Sequence, residues 1–209
     1  MTYAVLETMM VQVTDMTGGD GAMLDPQVLL DTLGVAMATG GEFAEVFVED
    51  RRSTSALLDD SRIEELTSGR DRGAGIRVVV GETTGFAHTA DLSPAGLRAA
   101  ATAASAAARS GGSGVRVVAL DAMSGPASAL VEILPSDVPK ARKVALLERA
   151  DDAARSRDGA ITQVTVRYAD SQRRIQIANS DGLLTGDRQI RTLFSVSCVA
   201  SGDSGLQTG

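Results

Sequence analysis

Two hundred and nine residues, 44% of them hydrophobic, suffice for one large or two small domains with a true core, although aromatic residues are only 3% and Trp is absent. A formal net charge of −7 argues against a nucleic-acid partner, which needs clustered Lys and Arg, and the single cysteine, Cys198, excludes an internal disulfide. No apolar run approaches the roughly 20 residues that span a bilayer, and the stretch from Met1 to Met16 lacks a basic n-region and is interrupted by Glu7 and Asp15, so neither membrane nor export is indicated and the expected location is the cytoplasm.

Residues 1–24 show no clear period and end in Gly18-Gly19-Asp20-Gly21, which reads as a loose leader. Asp25-Pro26 then opens a helix with an apolar stripe of Val28, Leu29, Leu33, Ala36 and Met37, and Gly40-Gly41 closes it. From Glu42 to Glu49 the residues alternate, with Ala44, Val46 and Val48 on one face and Phe43 and Phe47 on the other, so a strand covered on both sides is expected. Thr54–Leu58 and Ile63–Leu66 look like two arms around a turn at Asp59-Asp60-Ser61-Arg62.

The stretch from Gly69 to Ser93 organises this first unit. Ile76, Val78 and Val80 alternate with Arg77 and Val79, Gly81 to Gly85 reads as a turn, and Phe86 to Thr89 returns as the partner strand. Ser93 is placed to cap a helix whose first residue is Pro94, and the alanine-rich run to Arg109 carries that helix to Gly111-Gly112. About five strands in succession are therefore expected between two helices.

Val115 to Leu120 is expected to be a short strand, and residues 121–136, broken by Pro126 and Pro135, a linker. A second unit follows over 137–209: a helix from Pro139 to Arg157 closed by Asp158-Gly159, then three strands, with a turn at Asn179-Ser180-Asp181-Gly182. In the last strand Ile190, Thr192, Phe194, Val196 and Cys198 share a face. The pattern predicts an α+β fold: a mixed unit over 25–120 with antiparallel hairpins and packing helices, then a helix-plus-antiparallel-meander unit that is expected to be incomplete.

The ordered set Gly73-x-Gly75-x-Arg77-Val78, Gly81, Gly85-Phe86-Ala87 and Asp91-Leu92-Ser93 resembles the N-terminal region of the TldD/PmbA metallopeptidase family, and its Gly-Phe-Ala ending is closer to the TldD branch. The similarity extends from about Gly40 to the last residue and includes the Ser-Asp-Gly turn of the second unit. The resemblance implies a zinc-dependent peptidase acting on unfolded or modified peptides, with these regions shaping a dimer, homomeric or mixed with another family member, and walling the peptide cavity. Gly73, Gly75, Arg77, Gly81, Gly85, Phe86 and Asp91 are then expected to be structural residues of that motif and candidate elements of the cleft wall.

The resemblance also implies a His-Glu-x-x-x-His segment, because a zinc site of this kind presents two histidines on one helix face with a glutamate beside the metal-bound water. These 209 residues contain one histidine, His88, which is followed by Thr89. No catalytic residue and no metal ligand is assigned to the chain, no cofactor is expected to be held by it alone, and zinc is implied only for the full-length family protein. Two roles remain open: the front of a peptidase cut short of its metal-binding part and inactive alone, or a non-catalytic module, or inert product, that pairs with a full-length member.

Other candidate residues have plainer readings. His88, three residues from Asp91, suits a general base, but a polar strand-end histidine is favoured. Cys198 has no basic sequence neighbour and reads as a core thiol. Gly73-Ala74-Gly75 fails as a dinucleotide fingerprint, since Val78 occupies the third glycine position and the glycines lead into a strand. Asp59, Asp60, Glu64 and Glu65 read as a solvated edge rather than a cation site. Arg51, Arg52, Arg70 and Arg72 suit a peptide carboxylate, but with acids between them surface pairing is favoured. If the chain is cut short, the strand from Ile190 to Ala200 is expected to expose an unpaired edge and drive self-association.

Overall fold

The computed structural model describes residues 9–15, 23–108, 120–123, 131–157, 159–203 and 205–209. The elements are β1 (Met9–Asp15), α1 (Pro26–Met37), β2 (Phe43–Asp59), β3 (Arg62–Val80), β4 (Thr83–Thr89), α2 (Pro94–Ala108), β5 (Asp121–Ala122), α3 (Lys140–Arg155), β6 (Ile161–Asn179), β7 (Leu183–Gly202) and β8 (Gly205–Thr208), with one 3-10 turn at Pro135–Asp137. The fold is α+β.

All eight strands belong to one sheet, with the main order β1-β7-β6-β2-β3-β4. Every pairing is antiparallel except that of the two-residue β5 with β7. Strand β2 joins the two sequence units, pairing with β3 on one side and, from Glu45↔Asn179 to Asp59↔Thr165, with β6 on the other. The regions read separately as 25–120 and 137–209 thus share one ladder.

Local signals set the element ends. Asp25 caps α1, its Oδ1 accepting from the Gln27 N–H at 2.7 Å, and Pro26 fills the first helical position, where its missing N–H costs nothing. Ser93 Oγ accepts from the Gly96 N–H at 3.2 Å and caps α2 in the same way. The β2–β3 turn places Asp60 and Ser61 at positive φ, as a two-residue hairpin of right-handed twist requires. At the β6–β7 turn Asn179 Oδ1 accepts from the Asp181 and Leu183 N–H groups.

Even-numbered positions of β2 face the helices throughout. Ala44, Val46 and Val48 pack with Ile76, Val78 and Ala178 beneath α1 and α2, whose stripes of Leu29, Leu33, Met37, Leu97, Ala101 and Ala104 are buried. Ala56 and Leu58 pack instead with Val164, Val166, Tyr168, Leu147 and Ala154 beneath α3. Two apolar cores therefore lie on one sheet face, and Asp50, Arg52 and Thr54 occupy the same face between them.

Several expectations change. The arms read around the Asp60 turn, and the strands read before and after them, fuse into the 17-residue β2 and the 19-residue β3; likewise the three late strands become the 19-residue β6 and the 20-residue β7. Polar and glycine stretches such as Arg51–Ser53 and Gly69–Gly73 look like breaks because neither face is buried there, but the backbone ladder continues through them. Residues 9–15, read as leader, form a strand against Arg188 to Phe194, and Asp121–Ala122, read as linker, pair with Leu183 and Leu184. The edge expected to be unpaired over Ile190–Ala200 is covered by β1 up to Phe194 and by β8 from Val199, which leaves only Ser195 to Ser197 without a ladder partner on that side among the described residues. The strand expected at Val115–Leu120 and the glycine stop at 111–112 fall, apart from Leu120, outside the described residues.

Candidate functional site

The β3–β4 hairpin and the sheet face turned away from the helices form the candidate site. Each glycine of the hairpin has a distinct cause. Gly81 takes φ +54° in the turn. A Cβ on Gly85 would lie 2.0 Å from the Ala104 carbonyl oxygen, so the missing side chain lets β4 rest directly on the alanine stripe of α2. A Cβ on Gly73 would meet the Thr89 carbonyl oxygen at 2.8 Å, and one on Gly75 would press the Phe86 ring at 3.2 Å.

Asp91 ends the hairpin rather than lining a cleft. Its Oδ1 accepts from the Ser93 N–H at 2.9 Å, and this bond, strengthened by the Ser93 side chain, holds the carboxyl below its ordinary range. Gly96 leaves room for it, since a Cβ there would fall 2.4 Å from the Asp91 carboxyl carbon. Of the seven motif residues, only Arg77 and Phe86 send side chains onto the open face. Phe86 is 61% exposed and stacks on His88, with ring centroids 6.3 Å apart.

Along that face two matched triads recur. The Arg77 guanidinium lies 5.5 Å from the Phe43 centroid and 3.5 Å from Glu45; the Arg173 guanidinium lies 5.9 Å from the Phe47 centroid and donates to Glu49 at 2.6 Å. Each arginine is held between an aromatic face and a carboxylate, which fixes its direction. These positions were missed in the sequence, where Phe43 and Phe47 suggested a covering layer. What lies over their rings is these two arginines, and both rings are half-buried. The signal was present as Phe-x-Glu repeated at a spacing of four on β2, which puts both pairs on one face.

A depression of about 380 Å³ lies beside the second triad, bordered by Phe47, Glu49, Gly73, Gly75, Phe86 and His88. Further along, a trough of about 490 Å³ is floored by Ser53, Ser55, Thr67, Ala169 and Ser171 and flanked by Arg51 and Arg191. The free edge of the sheet lies on β3. There β4 covers β3 only from Ala74 to Val80, so Arg62 to Gly73 has no ladder partner on its outer side among the described residues. Residues 62–72 of this edge are exposed without interruption.

The donor set does not fit a catalytic metal. His88 and Cys198 lie on β4 and β7 with three strands between them, His88 on the open face and Cys198 against the core under α3. Burial pushes the Cys198 thiol up, against the nearby Arg155 charge. No three His, Cys, Asp or Glu side chains converge among the described residues. The acids read as a solvated edge are paired: Asp60 accepts from Arg155, Asp59 from Thr165 and Gln163, and Glu65 from Ser55, while Glu64 lies 3.7 Å from Arg62. No helix among the described residues is long and apolar enough to cross a membrane.

Comparison with known proteins agrees with the motif. The model of PmbA/TldA metallopeptidase domain 1 matches residues 44–108, and that of the PmbA/TldA metallopeptidase central domain matches residues 133–209. A metalloprotease TldD homologue of Haemophilus influenzae is 27% identical over 188 residues, covering 89% of this chain and 39% of its own length. A metalloprotease of Methanothermobacter thermautotrophicus is 33% identical over 174 residues, covering 80% of this chain and 36% of its own length. The crystal structure of TldE from Thermococcus kodakarensis shares the fold, with a TM-score of 0.68 over 86% of this chain and 40% of that one at 16% identity. The chain thus spans less than two fifths of the length of these two curated relatives.

Proposed function

Because the chain belongs to the PmbA/TldD metallopeptidase family, we propose that it forms the N-terminal and middle part of a TldD-like zinc metallopeptidase and walls the cavity where an unfolded or modified peptide is held for cleavage. The observation that carries this reading is the unpartnered edge of β3 from Arg62 to Gly73, beside an open sheet face. An extended peptide joins such an edge through main-chain hydrogen bonds, so it is held regardless of sequence, and the neighbouring depressions receive alternate side chains. Arg77, Phe86, Gly73 and Gly75 border the place where that added strand would run alongside the end of β4.

Zinc chemistry is not assigned to these residues. One histidine and one cysteine on opposite sheet faces do not make its site, and a His-Glu-x-x-x-His segment, in the same polypeptide or in a family partner, is the proposed source of the metal centre. The working unit is proposed to be a dimer, homomeric or mixed, in the cytoplasm. A second reading is favoured by the same donor set: a non-catalytic module that binds a full-length family member and modulates it.

Amide hydrogen exchange with and without an unstructured peptide tests the edge. Protection confined to residues 62–73 and the end of β4 is the expected result; protection elsewhere, or none at saturating peptide, rejects the peptide-wall reading. Mixing the chain with a full-length family member then separates the roles. Raised or restored peptide cleavage supports the catalytic assembly, whereas complex formation with unchanged or reduced cleavage supports the module.

A further inference from the structure

The helix-bearing face of the sheet contains a second, unassigned feature in the gap between the two cores. Strands β3, β2 and β6 run side by side there, and two successive cross-strand rows point into the gap. One row is Arg70, Arg52 and Gln172; the next is Ser68, Thr54 and Asp170. Together with Ser136 from the 3-10 turn they line a depression of about 430 Å³.

The two rows carry two arginines, two hydroxyls and one amide against a single acid, Asp170. Arg70 is held by Asp50 through two bonds, Nε to Oδ1 at 2.8 Å and Nη2 to Oδ2 at 2.5 Å. Asp170 is neutralised by the buried Lys143 ammonium at 2.5 Å. The side chains of Arg52, Thr54, Ser68 and Gln172 have no hydrogen-bond or ion-pair partner among the described residues. Arg72, one row beyond, likewise has none. The Asp50 carboxyl is held below its ordinary range by Arg70, against its own burial, with further help from the charges of Arg52 and Arg72.

We propose that this saddle is a carboxylate-binding site, in which Arg52 grips the anion with its planar fork while Thr54, Ser68 and Gln172 donate to its oxygens. A guanidinium matches a carboxylate in two parallel hydrogen bonds, and the hydroxyls of the next row, two residues or about 7 Å along the strands, flank the same anion. The local balance favours one negative charge. Arg52 and Arg72 are unmatched, but a dianion would also lie close to Asp50 and Asp170. The side chains that grip the anion lie on the sheet face opposite the open one and need no metal; Ser68 and Arg70 belong to the free stretch of β3, so comparison of a peptide acid with its amide separates carboxylate binding from strand addition at that edge.

The test is equilibrium binding to the 209-residue chain, read by fluorescence anisotropy of a labelled tetra-alanine peptide, blocked at its N-terminus and carrying a free C-terminal carboxylate. The same peptide as its C-terminal amide, sodium acetate and inorganic phosphate are the competitors. The expected result is saturable binding of the acid, at least tenfold weaker binding of the amide, and at least a tenfold loss in Arg52→Gln. Arg149→Gln, at an exposed position of α3, leaves binding unchanged. Displacement by acetate shows that the carboxylate alone is read; resistance to acetate shows that adjoining peptide is read with it. Equal binding of acid and amide, no effect of Arg52→Gln, or phosphate competing more strongly than the peptide acid overturns the proposal. Arg52 is exposed, and an unchanged far-ultraviolet spectrum of its variant establishes that folding is intact.

Discussion

Lys143 Nζ and Asp170 Oδ2 lie 2.5 Å apart, with side chains only 4% and 6% exposed, on α3 and β6 respectively. The ammonium also sits 5.4 Å from the Tyr168 ring centroid. Burial first, and the neighbouring Asp170 carboxylate second, hold the Tyr168 phenol above its usual range. This cluster fastens the single helix of the second core to the sheet. Lys143→Met should leave a buried carboxylate without its partner and lower stability by about 3–5 kcal/mol. Lys143→Met combined with Asp170→Leu should recover much of that loss. Urea denaturation of both variants decides the matter; a double variant as unstable as the single would show that the pair itself is favourable rather than costly to break.

Features fixed by neighbouring residues were legible in the sequence. Asp25-Pro26 and Ser93-Pro94 announce their helices because cap and first turn lie within four residues, and Asp60-Ser61 and Asn179 to Gly182 announce their turns for the same reason. The motif glycines were legible as a set, but their causes differ and depend on distant partners: α2 for Gly85, the Phe86 ring for Gly75. The continuity of β2 through Arg51–Ser53 was not legible, since period-two alternation fades where neither sheet face is buried. Nor was the pairing of Glu49 with Ile175, which depends on a ladder closed across most of the chain.

Acid should weaken the fold through Asp50. Its folded-state pKa is depressed below the ordinary 3.8 by the Arg70 bonds. A depressed carboxylate contributes stability that is present above 3.8 and is lost as the pH falls through the lower, folded value. Asp50→Asn removes that titration, so its stability should fall less steeply with pH below 3.8 than that of the parent chain. Urea midpoints measured through this range check the slope; parallel acid limbs would mean that Asp50 is not linked to folding.

The hairpin glycines should rank by mechanism. Gly85→Ala forces a methyl carbon to within 2.0 Å of the Ala104 carbonyl oxygen, a backbone atom that moves only with α2, and overpacking of this kind costs about 1–3 kcal/mol or more. Gly81→Ala has open space around it and is opposed only by its φ of +54°, a penalty of about 1–2 kcal/mol. Thermal melts should therefore place Gly85→Ala below Gly81→Ala. The reverse order would mean that α2 shifts away from β4 at little cost.

The free edge of β3 should also govern association. Exposed main-chain donors and acceptors from Arg62 to Gly73 are a template for another strand, and Ile63 and Leu66, each 37% exposed, add apolar contact beside it. Charges along the edge, including Arg62, Glu64, Glu65, Arg70 and Arg72, oppose pairing only while they stay hydrated. The parent chain should associate in a concentration-dependent way, and Leu66→Lys should shift it toward monomer by placing a further charge where a second strand would cover it. Light-scattering chromatography over a hundredfold concentration range reads both effects. If the parent is monomeric throughout, the edge is too charged to recruit a copy of itself. If Leu66→Lys associates as strongly as the parent, association runs through another surface, and the open face with Phe86 becomes the place to look.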